Sequence, residues 1–240
     1  PWNDKALYKR YSRKTKSGKA ANKAGLQCDC GLEEREQTPM IGMVTRLVSH
    51  KGIDLIINVF DELMREDVQF VLLGSGDKPY EDFFRTMAGR YPGRVWADFA
   101  FSPEMASRIY AGADLFLMPS LSEPCGLSQM IAAKYGTVPI VRTTGGLKDS
   151  VIPYNPLEKA GNGVTFGQIN AQDMLGAVKR AISLYHRPAD WDALTDNAFA
   201  SDFSWSRGAE QYMEVYGGIA DGVGDETDLL KRRTESKDQK

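Results

Sequence analysis

Between residues 38 and 188 the sequence alternates short runs that are apolar at nearly every position with longer stretches whose apolar residues recur at helical spacing. MIGMVTRL (40–47), VQFVLLGSG (68–76), RVWADFA (94–100), DLFLMPS (114–120), TVPIVRT (137–143) and GVTFGQ (163–168) read as strands. GIDLIINVFDELMRE (52–66), PYEDFFRTMAGRYP (79–92), SPEMASRIYAGA (102–113), GLSQMIAAKYG (126–136) and AQDMLGAVKRAISLYH (171–186) read as the helices between and after them. Ser102 followed by Pro103 is a helix start, with serine as the cap and proline at the first helical position. A strand with no polar alternation has no face for water, which is the condition of a parallel sheet covered by helices on both sides. Repeated strand-helix units with right-handed crossovers then predict an α/β chain, a Rossmann-like doubly wound parallel sheet.

The flanks read differently. Residues 1–37 are expected to be a basic lead-in, carrying Lys5, Lys9, Arg10, Arg13, Lys14, Lys16, Lys19 and Lys23 against Asp4 and Asp29 within the first thirty positions. A solvated surface segment or linker is the expected form, with an anion-binding arm as the alternative. DWDALTDNAFAS and SWSRGAEQYMEVYGGI predict C-terminal helices within 189–219, amphipathic enough to pack on this domain or on a neighbour. Residues 220–240 mix acids and bases with few apolar positions and are expected to be disordered. The chain opens on Pro1 and not on methionine, so it is expected to be part of something longer.

Bulk charge narrows the partners. Thirty Lys and Arg against 32 Asp and Glu leave a net charge of −2, so nucleic acid is not bound by overall electrostatics and any anion must be held locally. No window approaches the roughly 18 apolar residues of a membrane span, and no signal peptide opens the chain, so a cytoplasmic setting is expected. With only three cysteines, a disulfide framework is not expected. A metal site on Cys28 and Cys30 would need further ligands from Cys125, His50 and His186, which are scattered, so none is expected.

Ligands of parallel sheets sit beyond the carboxyl ends of the strands. After the first strand, TRLVSHKG places Arg46 and Lys51 where both could reach a phosphate, unless they are a pair of solvated charges. After the second, Gly74-Ser75-Gly76 starts like a dinucleotide fingerprint, but the third glycine position is Pro79, which argues against NAD. A close approach to a ligand and a simple tight turn remain equally good readings of those glycines. After the fourth, SEPCGLSQM joins Glu123 to a predicted first helical turn at Gly126-Leu127-Ser128, whose free N–H groups suit a phosphate. Glu123, an acceptor only, suits ligand hydroxyls or the cations Arg46 and Lys51. VRTTGGLKDSV adds Gly145 and Gly146 at the next strand end, where the backbone can be approached closely. Together these ends suggest a pocket for a nucleotide with a diphosphate and a hydroxyl-rich group.

At these residues the sequence resembles the bacterial glycogen synthase and plant starch synthase family, retaining glucosyltransferases of the GT-B fold. The matching words are TRLVSHKGIDL, YAGADLFLMPSLSEPCGLSQM, AAKYGTVPIVRTTGGLKDSV and the lead-in GKAANKAGLQ, spanning about 19–151. The resemblance implies the C-terminal, donor-nucleotide-binding half of such an enzyme over 38–188. It implies ADP-glucose as donor substrate without cofactor or metal, and an α-1,4-glucan acceptor reached through a missing N-terminal domain. That domain carries the family's Lys-x-Gly-Gly loop and catalytic histidine, so this chain alone is expected to transfer negligibly. By the same pattern, 1–30 would be an interdomain connection and the SWSRGAEQYMEVYGG helix would return toward the missing domain.

Carried onto this sequence, the resemblance implies that Arg46 and Lys51 neutralise the departing diphosphate, while Glu123 and the backbone of Cys125 and Gly126 hold the sugar hydroxyls. Leu127 and Ser128 would contact the distal phosphate, and Tyr110 with the 99–102 region would border the adenine. The family's arginine pair before TGGL reads Arg142-Thr143 here, so one cation is missing. A GT-B enzyme using a UDP-sugar is the alternative, though such enzymes often carry a second glutamate at the position of Ile131. A noncatalytic nucleotide-sugar-binding module is the other.

Overall fold

The computed structural model describes residues 1–210 and 212–219. The expected disorder of 220–240 lies outside the described residues.

Six strands form one parallel sheet: β1 (Met40–Val44), β2 (Gln69–Leu73), β3 (Val95–Asp98), β4 (Leu115–Met118), β5 (Val138–Arg142) and β6 (Val164–Phe166), in the order β3-β2-β1-β4-β5-β6. Each predicted strand is present, and the order reverses direction between β1 and β4. That reversal opens a crevice at the carboxyl ends of those two strands, the place where doubly wound sheets hold ligands. The helices are α1 (Gly18–Asp29), α2 (Ile53–Leu63), α3 (Lys78–Arg90), α4 (Pro103–Gly112), α5 (Ser128–Lys134), α6 (Gly145–Ser150), α7 (Ala171–Tyr185) and α8 (Pro188–Ala200).

The apolar strands are buried on both faces for the expected reason. Phe70 and Leu72 point into one cluster with Phe60, Phe84 and Val178, while their neighbours Val71 and Leu73 pack with Leu26 and Ile109 on the other face. Leu115 and Leu117 likewise face the first cluster, and Phe116 and Met118 join Tyr110 and Ala132 on the opposite side. Residues with period two along a strand therefore serve two separate cores. Ser102 caps α4 as expected, its Oγ accepting the Met105 N–H at 3.1 Å.

The lead-in departs from expectation. Residues 1–201 form one compact unit, so α1 and α8 belong to the same body as the sheet. Two of the basic residues are not solvated: Lys23 is 4% exposed, and Lys19 donates to Ala111 O (3.0 Å), Tyr135 O (3.4 Å) and Thr137 Oγ1 (2.6 Å). Ala111 and Tyr135 close α4 and α5, so this ammonium satisfies carbonyls at two helix C-termini at once. A cavity of about 400 Å³ lined by Lys19, Lys23, Tyr185 and Trp191 lies between α1 and α8, at the amino ends of the strands. The second unit begins at Asp202 and is helical over 205–210 and 212–219. Among the described residues no helix is long and apolar enough to cross a membrane.

Candidate active site

The crevice between β1 and β4 is occupied by an ion pair. Lys51 closes a 3-10 turn (Ser49–Lys51) after β1, and Glu123 stands in the loop after β4. Lys51 Nζ lies 2.5 Å from Glu123 Oε2, with side chains 17% and 11% exposed, and Ser120 Oγ donates to the same oxygen at 3.2 Å. The two connections are built to meet. Leu121 N–H donates to His50 O at 2.8 Å, and Gly52, at φ +74°, lets the chain pass where a β-carbon would fall 2.1 Å from Pro119 O. Arg46 is exposed, and among the described residues its guanidinium has no hydrogen-bond or ion-pair partner. The structure thus places a free cation, a paired cation and a half-buried carboxylate at the carboxyl ends of β1 and β4.

The SEPCGLSQM loop folds more tightly than its pattern indicates. Gly126 is left-handed at φ +74°, Leu127 is the N-cap, and α5 starts at Ser128, two residues later than expected. The buried Gln129 amide holds the turn from below, donating to Cys125 O (3.2 Å), Gly126 O (2.9 Å) and Ser150 Oγ (3.0 Å). Cys125 is exposed, a free thiol. Gly145 and Gly146 open the short helix α6. The approach they permit is to the chain itself: a β-carbon would lie 2.1 Å from Glu123 O at Gly145 and 2.6 Å from Cys125 O at Gly146. Gly146 N–H donates to both Glu123 O (3.2 Å) and Pro124 O (3.1 Å). These glycines brace the Glu123 loop from behind.

Gly74-Ser75-Gly76 performs a similar service for the Arg46 loop. Leu47 N–H donates to Ser75 O at 2.9 Å, and Asp77 N–H to Leu47 O at 2.7 Å, which favours the turn reading of that stretch.

Tyr110 packs into the interior. It is 7% exposed at the end of α4, with its ring 5.1 Å from that of Phe116 and 6.0 Å from that of Tyr135. Burial raises the phenol above its usual range, and a hydrogen bond with the Ser128 side chain acts the other way. Ser128, the first residue of α5, links this phenol to the loop that carries Glu123. In the 99–102 region, Phe99 lies beneath the Arg85 guanidinium at 4.8 Å, Phe101 is 92% exposed and Ser102 is spent on capping α4.

The sequence presents Arg142 only as half of an incomplete cationic pair. In the structure it is buried at the end of β5 and donates to the carbonyls of Ser120 (3.0 Å) and Leu121 (2.5 Å). Its position one residue inside a predicted strand end was the available signal.

The family model described as "Glycosyl transferases group 1" matches residues 31–196. The chain is 52% identical over 216 residues to a glycogen synthase of Geobacillus thermodenitrificans and 51% identical to that of Geobacillus stearothermophilus. In each case 90% of the chain is covered but only 44% of the relative, so the chain spans a little under half the length of these curated relatives. Among solved structures, the catalytic domain of starch synthase IV from Arabidopsis thaliana, bound to ADP and acarbose, superposes with a TM-score of 0.82 at 36% identity. That match covers 90% of this chain and 46% of that one. The family match over residues 31–196 establishes that the chain belongs to the group 1 glycosyl transferase family, and its parallel sheet and the likeness to starch synthase IV give it the Rossmann-like half of a GT-B fold.

Proposed function

We propose that this chain is the donor-binding half of a glycogen or starch synthase, holding ADP-glucose while glucose passes, with retention, to the 4-hydroxyl of an α-1,4-glucan. The observation that carries the reading is the Lys51–Glu123 pair at the switch point of the sheet, with Arg46, unpartnered among the described residues, in the same loop after β1. The likeness to glycogen synthases over 90% of the chain, and to a starch synthase bound to ADP, supports the choice of nucleotide.

In this reading Arg46 and Lys51 face the diphosphate, and Lys51 shares its charge between phosphate and Glu123. Glu123 accepts from glucose hydroxyls. The backbone of Cys125 and Gly126 lines the sugar, and Leu127 and Ser128 offer first-turn N–H groups to the distal phosphate. Gly145, Gly146 and Tyr110 act from behind, by fixing the Glu123 loop and Ser128. As ADP departs, negative charge grows on its terminal phosphate, and fixed cations stabilise that charge most where it develops. Removing one such contact costs on the order of a hundredfold in rate. The glucan hydroxyl attacks from the face that ADP leaves, and the acceptor site falls in the part of the relatives beyond this chain.

Calorimetry of the 240-residue chain with ADP, ADP-glucose, UDP-glucose and NAD tests the reading. ADP and ADP-glucose are expected to bind, UDP-glucose more weakly and NAD not at all; Glu123→Ala should weaken ADP-glucose more than ADP. Equal or absent binding of all four ligands would sink the proposal, and a preference for UDP-glucose would replace the donor.

A further inference from the structure

The structure assigns Arg142 a positioning role: its buried guanidinium holds the backbone from which Glu123 reaches Lys51. The inference deepens the proposed function and rests on it for the identity of the ligand.

Arg142 is the last residue of β5 and is 9% exposed. Its Nε donates to Ser120 O at 3.0 Å, Nη2 to Leu121 O at 2.5 Å and Nη1 to Gly167 O at 3.4 Å. Among the described residues no carboxylate pairs with it. A buried guanidinium without a counter-ion is costly to keep, so its partners must compensate through good geometry, and here the two nearest are successive carbonyls of the loop after β4. Two successive carbonyls suit a planar fork; a lysine ammonium, a single point on a flexible stem, does not match both.

The held segment leads directly to Glu123. The carbonyl of Leu121 is gripped by Arg142 while its N–H is gripped by His50 O at 2.8 Å, so one residue bridges the end of β5 and the turn that carries Lys51. Ser120, whose carbonyl takes the other arm of the fork, turns its hydroxyl onto Glu123 Oε2 at 3.2 Å. Releasing Arg142 therefore frees a hydrogen-bond donor to Glu123 and loosens the approach of Glu123 to Lys51 in one step. The carbonyl of Glu123 is tied separately by Gly146, so the loop keeps a second anchor when Arg142 is removed.

The test compares Arg142→Met, Arg142→Lys and Val138→Ala in the 240-residue chain. Val138 is fully buried at the opposite end of β5, and its truncation destabilises the sheet without touching the loop. Two readouts are taken well below each variant's melting temperature: ADP affinity by calorimetry, and the carbon-13 signal of the Glu123 carboxylate, assigned with Glu123→Gln. Arg142→Met is expected to weaken ADP by about tenfold or more and to move the Glu123 signal, with Arg142→Lys between it and the parent. Val138→Ala is expected to lower the melting temperature and move neither. The assignment is overturned if Arg142→Met leaves both readouts at the parent values, or if Val138→Ala shifts them equally. If Arg142→Met does not fold, Arg142→Lys carries the same comparison. Should the parent chain fail to bind ADP, the functional reading falls, while the carboxylate signal still decides whether Arg142 governs Glu123.

Discussion

Lys23 and Asp114, 91 residues apart in sequence, form a buried ion pair: Nζ lies 2.7 Å from Oδ2, with side chains 5% and 11% exposed. Each group has further partners. Lys23 also donates to Thr38 O (2.7 Å) and Glu36 O (2.9 Å), and Asp114 Oδ2 accepts the Met40 N–H (2.9 Å). The pair therefore fastens α1 to the amino ends of β1 and β4, opposite the candidate site.

Breaking such a pair from one side strands a charge away from water, at a cost of about 3–5 kcal/mol. Asp114→Asn and Lys23→Met should each destabilise the chain by that amount in urea denaturation. The double variant should recover part of the loss, because no charge is then left unpaired; strictly additive losses would mean that the pair is not coupled.

Arg46 and Lys51 should separate binding from folding. Arg46 is exposed and unpartnered among the described residues, so Arg46→Ala is expected to change stability by less than about 0.5 kcal/mol. Its effect should fall on ADP affinity, a loss of about tenfold, near the low end of the roughly 1.5–3 kcal/mol of a hydrogen bond to a charged group. Lys51→Ala should lower both, since it leaves Glu123 half-buried without its cation. An unchanged ADP affinity in Arg46→Ala would show that Arg46 does not face the phosphates.

Gly145 sits at φ +44°, and a β-carbon there would press on Glu123 O. Gly145→Ala is expected to cost about 1–3 kcal/mol through backbone strain and to weaken ADP binding by displacing the Glu123 loop. Gly89, exposed in α3 with nothing within 4 Å of the place a β-carbon would take, is the contrast. Gly89→Ala should stabilise by up to about 1 kcal/mol and leave binding intact. Thermal melts and calorimetry on the two variants check both statements.

Burial pushes the Lys19 ammonium down to about 7; Asp114 acts to raise it and Lys23 to lower it. A lysine whose folded value lies below its unfolded one binds fewer protons when folded, so folding stability rises with pH between about 7 and the ordinary lysine range and is level below 7. Urea denaturation at about pH 7, 8 and 9 should show that rise. The difference between the parent chain and Lys19→Met isolates the lysine: the variant should show a flatter profile, and an identical slope would exclude Lys19 as its source.

What the sequence determined by itself is the layered framework and the chemistry at its ends. Hydrophobic periodicity is a local property, so the six strands, most of their helices and the positions of Arg46, Lys51 and Glu123 just beyond strand ends follow from neighbours along the chain. The tertiary structure decided what depends on partners far away in sequence. Lys19 and Lys23 have the composition of a solvated lead-in, and only helix C-termini and Asp114, brought together from distant parts of the chain, make them interior groups. Gly145 and Gly146 announce a close approach but not to what, and folding brings the Glu123 loop there. Tyr110 and Arg142 carry side chains equally fit for a ligand or a core, and only the fold brings the ring of Phe116 against the one and the carbonyls of Ser120 and Leu121 to the other.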